Sequence, residues 1–280
     1  MSVQGAERSA ARPVATVAST AADRPPSTPM HSQGQPHLSV IVPAYNGEDR
    51  LPAALDQLGA WLDAQPYESE LILVDDGSRP PAAKVMTDFA TRRPNTRVIR
   101  NDVNIGKGAG VAKGMLAATG AYRVFTDADL AYPPPEIGKI LADLEAGADV
   151  AIACRVLQES RYLMSPSFFH YLYTRHLMSR AFNQMVRLIL LRDVLDSQAG
   201  LKGYTAHAAT VVFPKLTIPR FGFDVETLFI AQTYGFRVKQ TAVHFRYDEE
   251  PTTITFTESV FRMMADLVQV RLNHLRGRYR

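Results

Sequence analysis

Val124-Phe-Thr-Asp-Ala-Asp-Leu130 reads as a short apolar strand that stops on two carboxylates, Asp127 and Asp129. Side chains two apart on a strand share a face, so both carboxylates can reach one point just past the strand end. A hard divalent cation such as Mg²⁺ or Mn²⁺ takes oxygen ligands from one or two carboxylates, and water and substrate phosphates complete its shell. An isolated acidic pair of this kind is more often a plain turn. The flanking sequence weighs against that reading.

Upstream, Leu38-Ser-Val-Ile-Val42 has the β-branched character of a buried parallel strand. Pro43-Ala-Tyr-Asn-Gly47 breaks it as a loop, and Leu51, Leu55, Leu58 and Leu62 follow at helical spacing. A second strand, Glu70-Leu-Ile-Leu-Val74, runs into Asp75-Asp-Gly-Ser78. The pattern then predicts a helix over 82–91, a strand over 96–100 and a helix of small residues from the glycine-rich run 101–110 to about Thr119. Alternating strands and helices of this kind form an α/β layer sandwich with a mainly parallel sheet. Ligands bind such sheets beyond the carboxyl ends of the strands. Three of those ends carry polar signatures: 43–46, 75–78 and 127–129.

Downstream, Pro133-Pro-Pro-Glu136 opens a helix, and a strand over 149–154 ends at Arg155. A long helical stretch is expected over 166–192, rich in aromatic and basic residues, followed by the polar loop Asp196–Gly203. Phe221-Gly-Phe-Asp-Val-Glu226 starts another helix, and 237–245 reads as one final strand. The chain closes on an amphipathic helix bearing Arg271, Arg276, Arg278 and Arg280. The expected organisation is a disordered tail over 1–36, poor in large apolar residues, one domain over 37–255, and the basic C-terminal helix over 256–280.

The 280 residues suit one large domain, and a net charge of +3 is too mild to argue for a nucleic-acid partner. A single cysteine, Cys154, leaves no internal disulfide and fits a reducing, cytoplasmic compartment. No apolar run approaches the roughly 18 residues of a membrane-spanning helix.

Asp75 or Asp76, at the end of the second strand, can accept hydrogen bonds from a ribose or a base edge. Asn104-Ile-Gly-Lys-Gly108 suits a phosphate, because its glycines admit close backbone N–H groups and Lys107 adds charge near a helix N-terminus. Neither a Walker A motif nor G-x-G-x-x-G is present. Together these pieces describe a nucleoside-diphosphate ligand with its cation.

Val42-Pro-Ala-Tyr-Asn46, Val74-Asp-Asp-Gly-Ser78, Asn104-Ile-Gly-Lys-Gly108 and Thr126-Asp-Ala-Asp129, in that order, resemble glycosyltransferase family 2. Asp196-Ser-Gln-Ala-Gly-Leu-Lys202 and Phe223-Asp-Val-Glu226 are similar to the polyprenyl-phosphate hexosyltransferases, nearest the dolichyl-phosphate β-glucosyltransferase type. The resemblance covers about 38–272. It implies a GT-A three-layer sandwich and inverting transfer of a hexose, glucose from UDP-glucose first, onto a polyprenyl phosphate. A GDP-mannose donor, a soluble hydroxyl acceptor and a nucleotide-sugar-binding scaffold are the alternatives.

By the same resemblance, Pro43, Tyr45 and Asp75 hold the nucleoside, and Asp76, Lys107 and Ala128 complete the donor set. Asp127 and Asp129 hold the metal, and Arg155 and Arg175 grip the acceptor phosphate. Asp196 is expected to position the acceptor or act as a base. Three positions depart from the family pattern: Gly47 where a Glu is common, Ala131 where a Gln can add a metal ligand, and Thr252-Thr-Ile254 in place of Ser-Lys-Leu. A lipid-linked acceptor and the basic amphipathic helices further imply a peripheral enzyme on the cytoplasmic membrane face.

Overall fold

The computed structural model describes residues 34–163, 182–246 and 256–280. Its first strand, β1 (Leu38–Ala44), is almost wholly buried because alternate residues serve two different cores. Ile41 faces one side, while Val40 and Val42 face the other. The same division holds in β2 (Ser69–Asp75), where Ile72 and Val74 oppose Leu71 and Leu73. A strand buried on both faces reads as a continuous apolar run, and that is the pattern of the central strands here.

The remaining strands are β3 (Thr96–Arg100), β4 (Tyr122–Phe125), β5 (Val150–Cys154), β6 (Arg161–Leu163), β7 (Lys202–Thr205), β8 (Val238–Ala242) and β9 (His244–Arg246). Seven of them form one sheet in the order β3-β2-β1-β4-β7-β5-β8. All neighbouring pairs are parallel except those of β7, which runs antiparallel to both β4 and β5. Strands β6 and β9 make a separate parallel pair.

One face of the sheet is covered by α1 (Leu51–Asp63), α2 (Pro80–Arg92) and α4 (Pro135–Glu145). Leu51, Leu55, Leu58 and Leu62 all turn inward from α1. Burying each such side chain stabilises the fold by about 1.5–3 kcal/mol relative to leaving it in water. The other face carries α3 (Lys107–Ala117), α5 (helical over 182–189), α6 (Ala206–Val212), α7 (Phe223–Thr233) and α8 (Phe256–Leu275). The result is the three-layer α/β sandwich that the strand and helix pattern implies.

Three expectations change. The expected final strand over 237–245 is two strands, since Val243 separates β8 from β9 and the two belong to different sheets. Strand β7 was expected as loop, because Lys202-Gly-Tyr-Thr205 has no apolar run and becomes a strand only by pairing between β4 and β5. The C-terminal helix is no appendage: Leu267, Val270 and Tyr279 are buried in the same core as α3 and α7. Of the helical stretch expected over 166–192, only 182 onward lies within the described residues, as does the tail from 34.

Candidate active site

The parallel strands end together, and their loops are strapped to one another. Register pairs Ala44 with Asp75, and the Asp76 N–H donates to the Ala44 carbonyl at 2.9 Å. Asn46, at φ 58°, donates its N–H to Ser78 Oγ and accepts from the Arg79 N–H, both at 2.9 Å. Asp75 accepts the Ser78 N–H on Oδ1 at 2.8 Å. Its Oδ2 lies 3.1 Å from Arg100, at ion-pair distance but without a hydrogen bond. A buried carboxylate oxygen lacking a donor is suited to an N–H or O–H supplied by a ligand. Tyr45, on the adjoining loop after Pro43, is 55% exposed and presents its ring to solvent beside this oxygen's strand end.

Asp76 has a different task from its neighbour. Its carboxylate accepts the Asn101 amide, the Ile105 N–H and the Gly106 N–H, each at 2.9 Å. Both oxygens are therefore spent on the loop that leads into α3. Asp76 shapes the loop before α3 from beneath, which leaves its carboxylate committed to the protein where the expectation had it contacting the donor.

That loop turns at Gly106, whose φ of 104° is a conformation that residues with a Cβ rarely adopt. At Gly108 a Cβ would collide with Phe223, so the first turns of α3 and α7 come into direct contact. The Ala109 N–H donates to the Pro219 carbonyl at 3.0 Å, tying α3 to the segment before α7. Lys107 then reaches back toward the end of β4, where its Nζ lies 2.5 Å from Asp127 Oδ1. Burial opposes the charge on Lys107, but Asp127, Asp224 and Asp129 outweigh it and hold the ammonium's pKa above its ordinary value.

Behind this pair sits a second one that sequence reasoning missed. Lys202 is fully buried, donates to the Ala199 carbonyl at 2.6 Å and pairs with Asp224. Burial lowers the Lys202 pKa and raises that of Asp224, because both charges are out of water. The Lys202 ammonium also lies 5.5 Å from the Phe125 ring centroid. Charges therefore alternate inward from Asp129 and Asp127 through Lys107 and Asp224 to Lys202. Gly200 presses against this chain, since a Cβ there would collide with the Asp127 carboxylate. The signal was present in Gly-Leu-Lys202 and Phe223-Asp224, but nothing in either segment says that their side chains meet.

On the other side of β7, Arg155 follows the end of β5. Its Nε and Nη2 donate to the two oxygens of Asp196 at 2.7 and 2.8 Å, and its backbone N–H donates at 3.0 Å. The guanidinium also lies 5.5 Å from the Phe245 ring centroid. Burial pushes the Asp196 pKa upward, yet Arg155 and Lys202 outweigh it and leave the carboxyl below the usual range. A buried carboxylate that is paired on both oxygens and hard to protonate is a poor proton acceptor. Asp196 orients Arg155, and a role as base has no geometric support. Arg175 and Thr252–Ile254 lie outside the described residues.

Among the described residues no cluster of three or more His, Cys, Asp or Glu side chains gathers around one point. Asp127, Asp129 and the exposed side of the site nevertheless fit a hard cation shared with a diphosphate, which needs only one or two protein carboxylates. Ala128, half-buried between them, leaves the space beside its backbone clear of a larger side chain.

The model of glycosyl transferase family 2 matches residues 39–195, a span that includes the ends of β1, β2, β4 and β5. The chain belongs to glycosyl transferase family 2. Two curated relatives of this family 2 chain are dolichyl-phosphate beta-glucosyltransferases. The one from Dictyostelium discoideum is 32% identical over 86% of this chain and 76% of its own length. The one from Homo sapiens is also 32% identical, over 87% of this chain and 77% of its own length. Among solved structures, the fold matches glucosyl-3-phosphoglycerate synthase from Mycobacterium tuberculosis in complex with Mn²⁺, UDP-glucose and phosphoglyceric acid. That match has a TM-score of 0.62 at 16% identity and covers 88% of this chain and 80% of the other. A complex of the same enzyme with Mg²⁺ and UDP gives a TM-score of 0.61 at 17% identity, over 86% and 79%. These likenesses establish the GT-A type of sandwich for this family 2 enzyme.

Proposed function

We propose that this family 2 glycosyltransferase moves glucose from UDP-glucose onto a polyprenyl phosphate of the dolichyl phosphate kind, with inversion at the anomeric carbon. The observation that carries the proposal is a pairing of two features. The chain is similar over most of its length to dolichyl-phosphate beta-glucosyltransferases, and it sets a carboxylate–lysine cluster at the carboxyl end of its sheet.

In this reading the uridine lies over the loop of Pro43 and Tyr45, and Asp75 Oδ2 accepts a base or ribose proton. The diphosphate faces the first turn of α3, where Lys107 offsets its charge. Asp127 and Asp129 would hold a Mg²⁺ or Mn²⁺ ion, which when bound supplies Lewis-acid stabilisation of the leaving diphosphate. Arg155, fixed by Asp196, offers its guanidinium to the acceptor phosphate. A phosphate monoester has a second pKa near ~6 and is mostly dianionic at neutral pH. It attacks without needing its proton removed, in keeping with an Asp196 that is committed to Arg155.

The enzyme reaches its lipid acceptor as a peripheral protein at the cytoplasmic membrane face. No helix among the described residues is long and apolar enough to cross a membrane. On α8, Val268, Leu272 and Leu275 are exposed along one stripe, with Arg271 on the same helix and Arg276 and Arg278 exposed just past its end. An apolar stripe flanked by arginines favours an anionic lipid surface. Flotation with anionic liposomes at low salt checks this, and protein that stays at the bottom of the gradient would count against it.

The test of function is a donor-by-acceptor assay with purified protein, Mn²⁺ or Mg²⁺, and polyprenyl phosphate in detergent. Label from UDP-glucose is expected to enter the organic phase only with lipid phosphate present. Transfer from GDP-mannose instead would replace the donor. Release of UDP with no lipid product would point to a soluble acceptor. Silence with every donor would favour a binding protein.

A further inference from the structure

Glu226 is fully buried and takes no part in the chemistry described above. Its carboxylate accepts four groups. The Thr217 N–H and Ile218 N–H donate to Oε2 at 3.0 and 2.9 Å, while Thr217 Oγ1 and the Tyr279 hydroxyl donate to Oε1, each at 2.6 Å. Asn273 adds a donor to Thr217 Oγ1 at 2.8 Å. Asn273 and Tyr279 are 2% and 1% exposed, so both side chains are sealed into this knot. The segment so gripped, Thr217–Pro219, is the one whose Pro219 carbonyl accepts the Ala109 N–H at the start of α3. A Cβ on Gly106 would collide with the same carbonyl, which shows how tightly the two segments are pressed together. One turn further along, Gly222 abuts the Asp266 side chain of α8.

We infer that the C-terminal residues Asn273 and Tyr279, acting through Glu226 and the Thr217–Pro219 segment, position the phosphate loop and thereby place Lys107 for the donor diphosphate. The path is continuous, and each step is a hydrogen bond or the covalent run Thr217-Ile218-Pro219. Tyr279 and Asn273 hold Glu226 and Thr217; these hold Pro219; Pro219 holds Ala109, two residues from Lys107. None of these groups touches the donor, so they are positioning residues. The inference rests on the reading of the α3 N-terminus as the diphosphate site.

The test uses the full chain with Tyr279→Phe and, separately, Thr217→Val. Each removes one hydroxyl from the knot without opening a large cavity. A His37→Ala variant, which removes the 2.6 Å contact with Glu145 at the opposite end of the sheet, controls for general loss of stability. Two quantities are read below the melting transition: calorimetric binding of UDP with Mn²⁺, and hydrogen exchange of the amides over 106–110. Both latch variants should bind UDP about 3–10-fold more weakly and exchange the Ala109 amide about 10-fold faster, with the control unchanged. Unchanged binding and exchange in the latch variants would overturn the inference, as would an equal loss of UDP affinity in the control. If Tyr279→Phe yields no folded protein, Thr217→Val decides by the same criteria. If the wild type binds no UDP, the donor-site reading fails, and amide exchange alone still decides whether the latch holds the loop.

Discussion

Lys107 is the side chain on which the site's electrostatics converge, because Asp127, Asp224 and Asp129 all act on it. Lys107→Met should lower kcat about 100–1,000-fold, the range for removing one preorganised charge from a transferring group. A loss below tenfold would assign that charge elsewhere. Gly200→Ala tests the same cluster by shape, since its new Cβ must displace the Asp127 carboxylate. Transfer should fall at least about tenfold while the melting temperature stays near that of wild type. Asp196 is the counterpart on the side we assign to the acceptor. Its depressed pKa stabilises the fold above the carboxylate's unfolded pKa near ~3.9, and that contribution is lost only as pH falls through the lower folded value. Acidification to about pH 5 should therefore leave the Arg155 pair intact, while turnover falls below about pH 6 as the acceptor phosphate gains a proton. Asp196→Asn should cost about 2–3 kcal/mol of stability without moving that acidic limb. A limb that vanished with Asp196→Asn would restore the residue as a base.

Helix α3 shows how far local pattern carries and where it stops. Its glycines and Lys107 are what the sequence offers for reading a phosphate loop here, because they admit close backbone N–H groups and add one charge at a helix start. Its packing is not legible there: a Cβ on Gly114 would collide with Ile41 of β1 and Val74 of β2, residues far away in the chain. Gly114→Ala should cost about 1–3 kcal/mol through overpacking, read as a lower melting temperature, whereas a neutral result would mean that α3 can slide. The apolar strands β1, β2 and β5 were readable for a related reason, since burial on both faces needs uninterrupted apolar residues. Strand β7 was not, because its identity depends on partners on either side. The Lys202–Asp224 pair shares that limit: charge inside a core is visible only once two distant segments are known to meet. Asp75 and Asp76 are adjacent and chemically identical, and residue chemistry leaves both as acceptors for a ribose or base edge; the loop of 101–106 occupies the second.

At the scale of the whole molecule, β7 is the one reversed strand in an otherwise parallel sheet. Strand β5 therefore delivers the chain to the carboxyl end of the sheet, and β7 takes it back from that same end, with Ile152 paired directly to Lys202. The chain leaves the rim at Arg155 and rejoins it at Leu201, whose carbonyl accepts the Ala153 N–H, and Asp196 lies on the returning stretch. The side we assign to the nucleoside, built on β1, β2 and α3, is assembled entirely outside that excursion. An enzyme so arranged is a cassette holder: the segment we assign to the acceptor can lengthen, shorten or be exchanged among relatives without disturbing the register of the seven-stranded sheet, and only the small β6–β9 pair has to be kept. A chimaera carrying 156–195 from a relative with a different acceptor should keep UDP binding and change only the molecule that receives the sugar.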